Sequence, residues 1–138
     1  MKKILILVCM FVLSFGLMSC GGGGGGGNSY MYEVLLEYNG QEILSPGTGT
    51  WFLVKLIKNG KEVDPSVVTI STFKDSNVGN LRIWNGSGID IQSNETITRK
   101  YGEIAGCQFG AMSASGSGKF GLIATYKDVT DKITFRTA

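Results

Sequence analysis

The 138-residue chain contains no histidine, and that absence removes much of the familiar chemistry. A Ser–His–Asp triad, a Cys–His pair and the histidine-bearing zinc sites all need the imidazole as base, orienting group or ligand. A few local patterns remain. Gly116-Ser-Gly118-Lys-Phe-Gly121 spells G-x-G-x-x-G. A dinucleotide site needs that loop to open a helix whose N-terminal amides hold the pyrophosphate. Leu122-Ile-Ala-Thr-Tyr126 follows instead and reads as a strand, so a hairpin loop is expected. Gly118-Lys119 is no phosphate loop either, because Ser113 fills the first glycine position and Phe120 the Ser/Thr position. Asp75-Ser-Asn77-Val-Gly-Asn80 gathers oxygen ligands. It lacks the third ligand, the sixth-position glycine and the distal glutamate of a calcium loop, so a solvated turn is expected. Asp128 and Asp131 flank a further turn and are expected to cap it. No metal site, cofactor site or catalytic residue is nominated.

Two tryptophans are the remaining candidates. By alternation Trp51 shares a strand face with Lys55, opposite Phe52, Val54 and Leu56, and Trp84 shares a face with Arg82, opposite Leu81 and Ile83. If the fully apolar faces form the core, both indoles stand outward, where they can stack on a sugar ring or anchor a protein partner. The competing expectation is that either ring closes the edge of the core.

The first residues carry an address. Met1-Lys2-Lys3 precedes an uncharged run from Ile4 to Met18, the charged and apolar regions of a secretory signal. The run is about fifteen residues, shorter than the roughly 20 needed to span a bilayer as a helix. Leu17-Met18-Ser19-Cys20 then resembles the lipobox of bacterial lipoproteins. The resemblance implies cleavage before Cys20 and diacylglycerol on its thiol, with Ser19 in the small position that the cleaving enzyme needs. Two or three acyl chains anchor a protein stably where one does not, so residues 1–19 are expected to be removed and the mature chain held at a membrane. Gly21 in place of aspartate resembles lipoproteins destined for the outer membrane; whether the domain faces the periplasm or the exterior is left open. Gly21 to Gly27 are consecutive glycines, and residues 20–29 are expected to be a flexible tether of about 15 Å.

Loss of Lys2 and Lys3 lowers the basic count from 13 to 11, against 11 acidic residues. No basic stripe appears in the sequence, which argues against nucleic acid and against electrostatic docking on anionic lipid. With Cys9 removed and Cys20 acylated, Cys107 is left without a partner in the mature chain. It is expected to be a small buried hydrophobe or an intermolecular thiol; a catalytic thiol is disfavoured by the missing histidine.

The elements that must position the tryptophans read as strands. Tyr30–Tyr38, Trp51–Lys58, Val67–Thr72, Asn80–Trp84, Gly88–Gln92, Glu95–Tyr101, Gln108–Ala114, Phe120–Tyr126 and Lys132–Thr137 are rich in β-branched and aromatic residues. Asn39-Gly40 and Asn59-Gly60 mark turns, the second of the kind that accepts positive φ at both central residues. Lys127 to Asp131 is expected to connect the last pair. Residues 30–138 are thus expected to form one all-β domain of seven to nine short antiparallel strands. The last 17 residues lack Gly and Pro, but their β-branched side chains favour strand over helix.

Trp51-Phe-Leu-Val-Lys-Leu-Ile-Lys-Asn-Gly-Lys-Glu-Val63 is similar to an early strand and turn of bacterial Ig-like (Big) domains. Gly118-Lys-Phe-Gly-Leu-Ile-Ala-Thr-Tyr126 with Lys132-Ile-Thr-Phe135 resembles their closing pair. The likeness is good at both ends and poor from Phe73 to Ser117. It implies an immunoglobulin-like β-sandwich used for adhesion, as a spacer, or to bind carbohydrate or protein, with no shared catalytic residues. The function expected is a non-catalytic, lipid-anchored binding or adhesion module. A structural or accessory subunit of an envelope complex, pairing through a strand edge or Cys107, is the alternative.

Overall fold

The computed structural model describes residues 31–138; the signal segment, Cys20 and the glycine tract lie outside the described residues. The described residues form eleven strands: β1 (Tyr32–Tyr38), β2 (Ile43–Leu44), β3 (Thr50–Lys58), β4 (Lys61–Val63), β5 (Thr69–Lys74), β6 (Leu81–Trp84), β7 (Asp90–Ser93), β8 (Thr98–Lys100), β9 (Gln108–Ala111), β10 (Lys119–Tyr126) and β11 (Val129–Thr137). A 3-10 turn covers Pro65–Val67, and a one-turn helix, α1, covers Tyr101–Ile104. All nine expected strands are present. The two unexpected ones, β2 and β4, are two and three residues long, too short to show alternation. The tail that could in principle have been helical is β10 and β11.

The strands build two facing sheets. One has the order β1-β3-β9-β6-β7, with β4 folded back on the far end of β3; the other runs β2-β11-β10-β5-β8. The order β1-β3-β9-β6 facing β11-β10-β5 is that of an immunoglobulin sandwich. Pairing is antiparallel except between β2 and β11, where Ile43 faces Arg136 and Leu44 faces Thr137 in parallel.

Alternation fills the space between the sheets. Phe52, Val54 and Leu56 of β3, Leu81 and Ile83 of β6, and Phe120, Leu122 and Ala124 of β10 are all buried. At the centre, Phe109, Phe120 and Phe135 form a triangle with centroids 5.6 to 6.0 Å apart. The tilted geometry and complete burial make this cluster a large share of the packing energy. Asp131 lies inside β11 rather than at a turn: its Oδ2 accepts from the Leu36 amide at 2.8 Å, joining the two sheets at their β1–β11 margin. The connection before it is also tighter than expected. β11 already begins at Val129, so Lys127 and Asp128 alone make the turn, with Lys127 at φ 52.

Candidate functional site

The register places the two tryptophans on one surface. Trp51 of β3 is level with Gln108 of β9, Gln108 is level with Trp84 of β6, and Trp84 is level with Asp90 of β7. A single row therefore crosses four strands on the outward side of the first sheet. Neighbouring strands lie about 4.8 Å apart, so the backbones of Trp51 and Trp84 sit roughly 10 Å from each other across β9.

Each indole is held differently. Trp51 is 48% exposed, and Leu53, two residues on along the same face, is 40% exposed. Trp84 is partly buried because its ring lies over Gly49, where an added Cβ would collide with the indole. The segment beneath is pinned: the Gly47 amide donates to the Ala111 carbonyl at 2.8 Å, and Gly110 leaves room for the Thr48 carbonyl. The Arg82 guanidinium stands 4.9 Å from the Trp84 ring centroid. It also grips Asp90 with two bonds, Nε–Oδ1 at 2.8 Å and Nη2–Oδ2 at 3.0 Å. This fork, more than its charge, holds the Asp90 carboxyl below the usual carboxylate range.

The other side of the row ends in ions. The Lys55 ammonium bridges Glu37 at 3.0 Å and Glu62 at 3.4 Å. The face thus carries Trp51, Leu53 and Trp84, with Gln108 between the two indoles, flanked by two polar rims on a paired sheet. Such a face suits stacking on the C–H face of a sugar or burial under a protein loop. It contains no nucleophile beside a base. Among the described residues, no three of Cys, Asp or Glu cluster as metal ligands would.

The other sequence candidates are placed elsewhere. Cys107 is 1% exposed and sits in the core; pairing with another chain would require the sandwich to open locally. Desolvation pushes its thiol pKa up. The G-x-G-x-x-G segment leads into β10, and its last glycine, Gly121, lies beneath the Phe73 ring. The calcium-like loop spends its oxygens internally: Asp75 Oδ2 accepts from the Lys119 amide, and the Asn77 amide donates to the Ser117 carbonyl. Sequence reasoning missed Gln108 and the Arg82–Asp90 fork, because both follow from register between strands and not from spacing along one.

No family model matches the chain, and no curated protein matches it. Among solved structures, it is similar to a crystal structure of a conjugative transposon lipoprotein from Bacteroides eggerthii. The two are 16% identical, with a TM-score of 0.44 over 78% of this chain and 98% of the other.

Proposed function

We propose that the chain is a lipid-anchored lipoprotein of the bacterial envelope. Its immunoglobulin-like domain binds a carbohydrate or protein partner through the outward face of the first sheet, without catalysis. The observation that carries the binding surface is the row Trp51–Gln108–Trp84, with one indole half exposed and the other braced by Gly49 and Arg82. The anchor rests on Leu17-Met18-Ser19-Cys20 behind an apolar, lysine-led segment. An aromatic row on a paired sheet loses little conformational entropy when covered, which favours recognition.

Two measurements test the reading. Cys20→Ala is expected to move the protein from the membrane fraction to the soluble fraction; unchanged membrane retention would remove the lipid anchor. The purified chain is expected to be retained on a glycan array or to crosslink one envelope protein. Trp51→Ala and Trp84→Ala should each weaken that capture about tenfold or more, given the 1–3 kcal/mol typical of buried aromatic contacts. Capture that is indifferent to both substitutions would move the site off this face.

A further inference from the structure

The two outward faces of the sandwich differ in charge. On the first sheet, outward positions hold Glu33, Glu37, Glu62 and Asp90 against Lys55 and Arg82, and both cations are already paired with carboxylates. On the second sheet, outward positions of β8, β10 and β11 hold Lys100, Lys119, Lys132 and Arg136, all exposed. No carboxylate occupies an outward position of those strands; the remaining side chains there are mostly Thr and Ser. Glu103 of α1 borders the face at its β8 edge.

The arrangement costs the fold something. Lys119 and Arg136 are direct cross-strand partners, and like charges in that relation repel. Among the described residues, the side chains of Lys100, Lys119 and Arg136 form no ion pair, although the Lys119 amide donates to Asp75 Oδ2. The Lys132 ammonium lies 4.4 Å from the Phe73 ring centroid, which keeps it raised over the face. A flat surface with four cations, with acids only at its margins in Asp75 beside Lys119 and Glu103 beside Lys100, is complementary to a flat anionic one.

We propose that this face docks on an anionic lipid bilayer, the one carrying the chain's own anchor, and so turns Trp51 and Trp84 away from the lipid. The proposal rests on the anchored reading above. About eleven residues separate Cys20 from β1, and a glycine-rich coil of that length spans roughly 17–20 Å. Sheets pack about 10 Å apart, so lipid beneath the second sheet is within the reach of a chain entering at the first. Each cation near an anionic surface strengthens association about fivefold, and four together on the order of a thousandfold. That is a dissociation constant near the millimolar range, too weak to recruit a free domain. A tether supplies effective concentrations of that same order, so the anchored domain docks where an unanchored one does not.

The test couples the chain from Cys20 onward to a maleimide lipid through the Cys20 thiol, a route left open by the burial of Cys107. This does not depend on acylation in the cell, so failure of the anchor reading is seen separately in the Cys20→Ala fractionation. Vesicles contain a spin-labelled headgroup lipid as quencher, with either phosphatidylglycerol or only phosphatidylcholine as the bulk. The native tryptophans report the far face. Thr134→Trp, in a chain with Trp51→Phe and Trp84→Phe, reports the near face, and Thr130→Trp replaces it if the first variant does not fold. The expected result is at least threefold stronger quenching of the near-face reporter on anionic vesicles. That difference should vanish in 0.5 M salt, on neutral vesicles, and with Lys119→Glu plus Arg136→Glu. Equal quenching on both faces, or a difference that survives salt and neutral lipid, would overturn the proposal. So would release of the face from anionic vesicles by stoichiometric polygalacturonate, which would assign it to a soluble polyanion.

Discussion

Cys107 and Asp90 show how neighbours set the chemistry of a single side chain. The Cys107 thiol is surrounded by core side chains, and desolvation disfavours its thiolate. With Cys20 blocked, the native protein at pH 8 is expected to leave a disulfide reagent unconsumed, and one thiol should appear on adding denaturant. Fast labelling of the native state would place Cys107 at an accessible surface. Cys107→Ser should cost about 1–3 kcal/mol, since it buries a hydroxyl among apolar groups. Asp90 is the opposite case: the Arg82 fork favours its charged form. Its folded pKa lies below its unfolded one, so its contribution to stability is complete above the ordinary carboxylate range and is lost as pH falls through the folded value. Carboxyl chemical shifts should therefore show Asp90 titrating below 3.8, and Arg82→Ala should return it toward that value. The lone status of Cys107 was legible in the sequence. The importance of Asp90 was not, because its partner lies on another strand.

At the level of the strand, alternation was enough to place nine elements and the inward or outward side of both tryptophans. It could not explain the glycines. Gly60 sits at φ 83 after Asn59 at φ 49, the primed turn that Asn-Gly dipeptides favour; Gly60→Ala should lower stability by about 1 kcal/mol. Gly121 interrupts an otherwise apolar strand for a different reason. Phe73 is its register partner on β5, and the ring lies where a Cβ would go, with the Ile133 carbonyl closing the remaining space. Gly121→Ala should cost about 2–3 kcal/mol in urea titrations. A cost under 0.5 kcal/mol would mean that the ring moves aside freely. Nothing in the local sequence links residues 73 and 121; only the pairing of β5 with β10 does.

Over the whole molecule, the sandwich was readable from composition and turn spacing, but the distribution of charge was not. Equal numbers of acids and bases from residue 20 onward suggested a surface without polarity. Folding sorts them, because Lys132 and Arg136 fall on the same side of β11 as Thr130 and Thr134, while Asp131 falls on the other. The core is similarly collective: Phe109, Phe120 and Phe135 come from three strands in two sheets. Phe135→Ala should cost about 3–5 kcal/mol, measurable as a shift in urea midpoint.

The place of β11 between β2 and β10 sets a schedule for the growing chain. When residue 128 has been synthesised, the residues of ten strands are present, yet the second sheet lacks the strand between β2 and β10 and the core lacks Ile133 and Phe135. The missing strand must then reach back to residues 43 and 44, a contact across most of the domain's length, and such distant pairings form slowly. Until residues 129–137 arrive, neither the second sheet nor the Phe109–Phe120–Phe135 cluster can be completed.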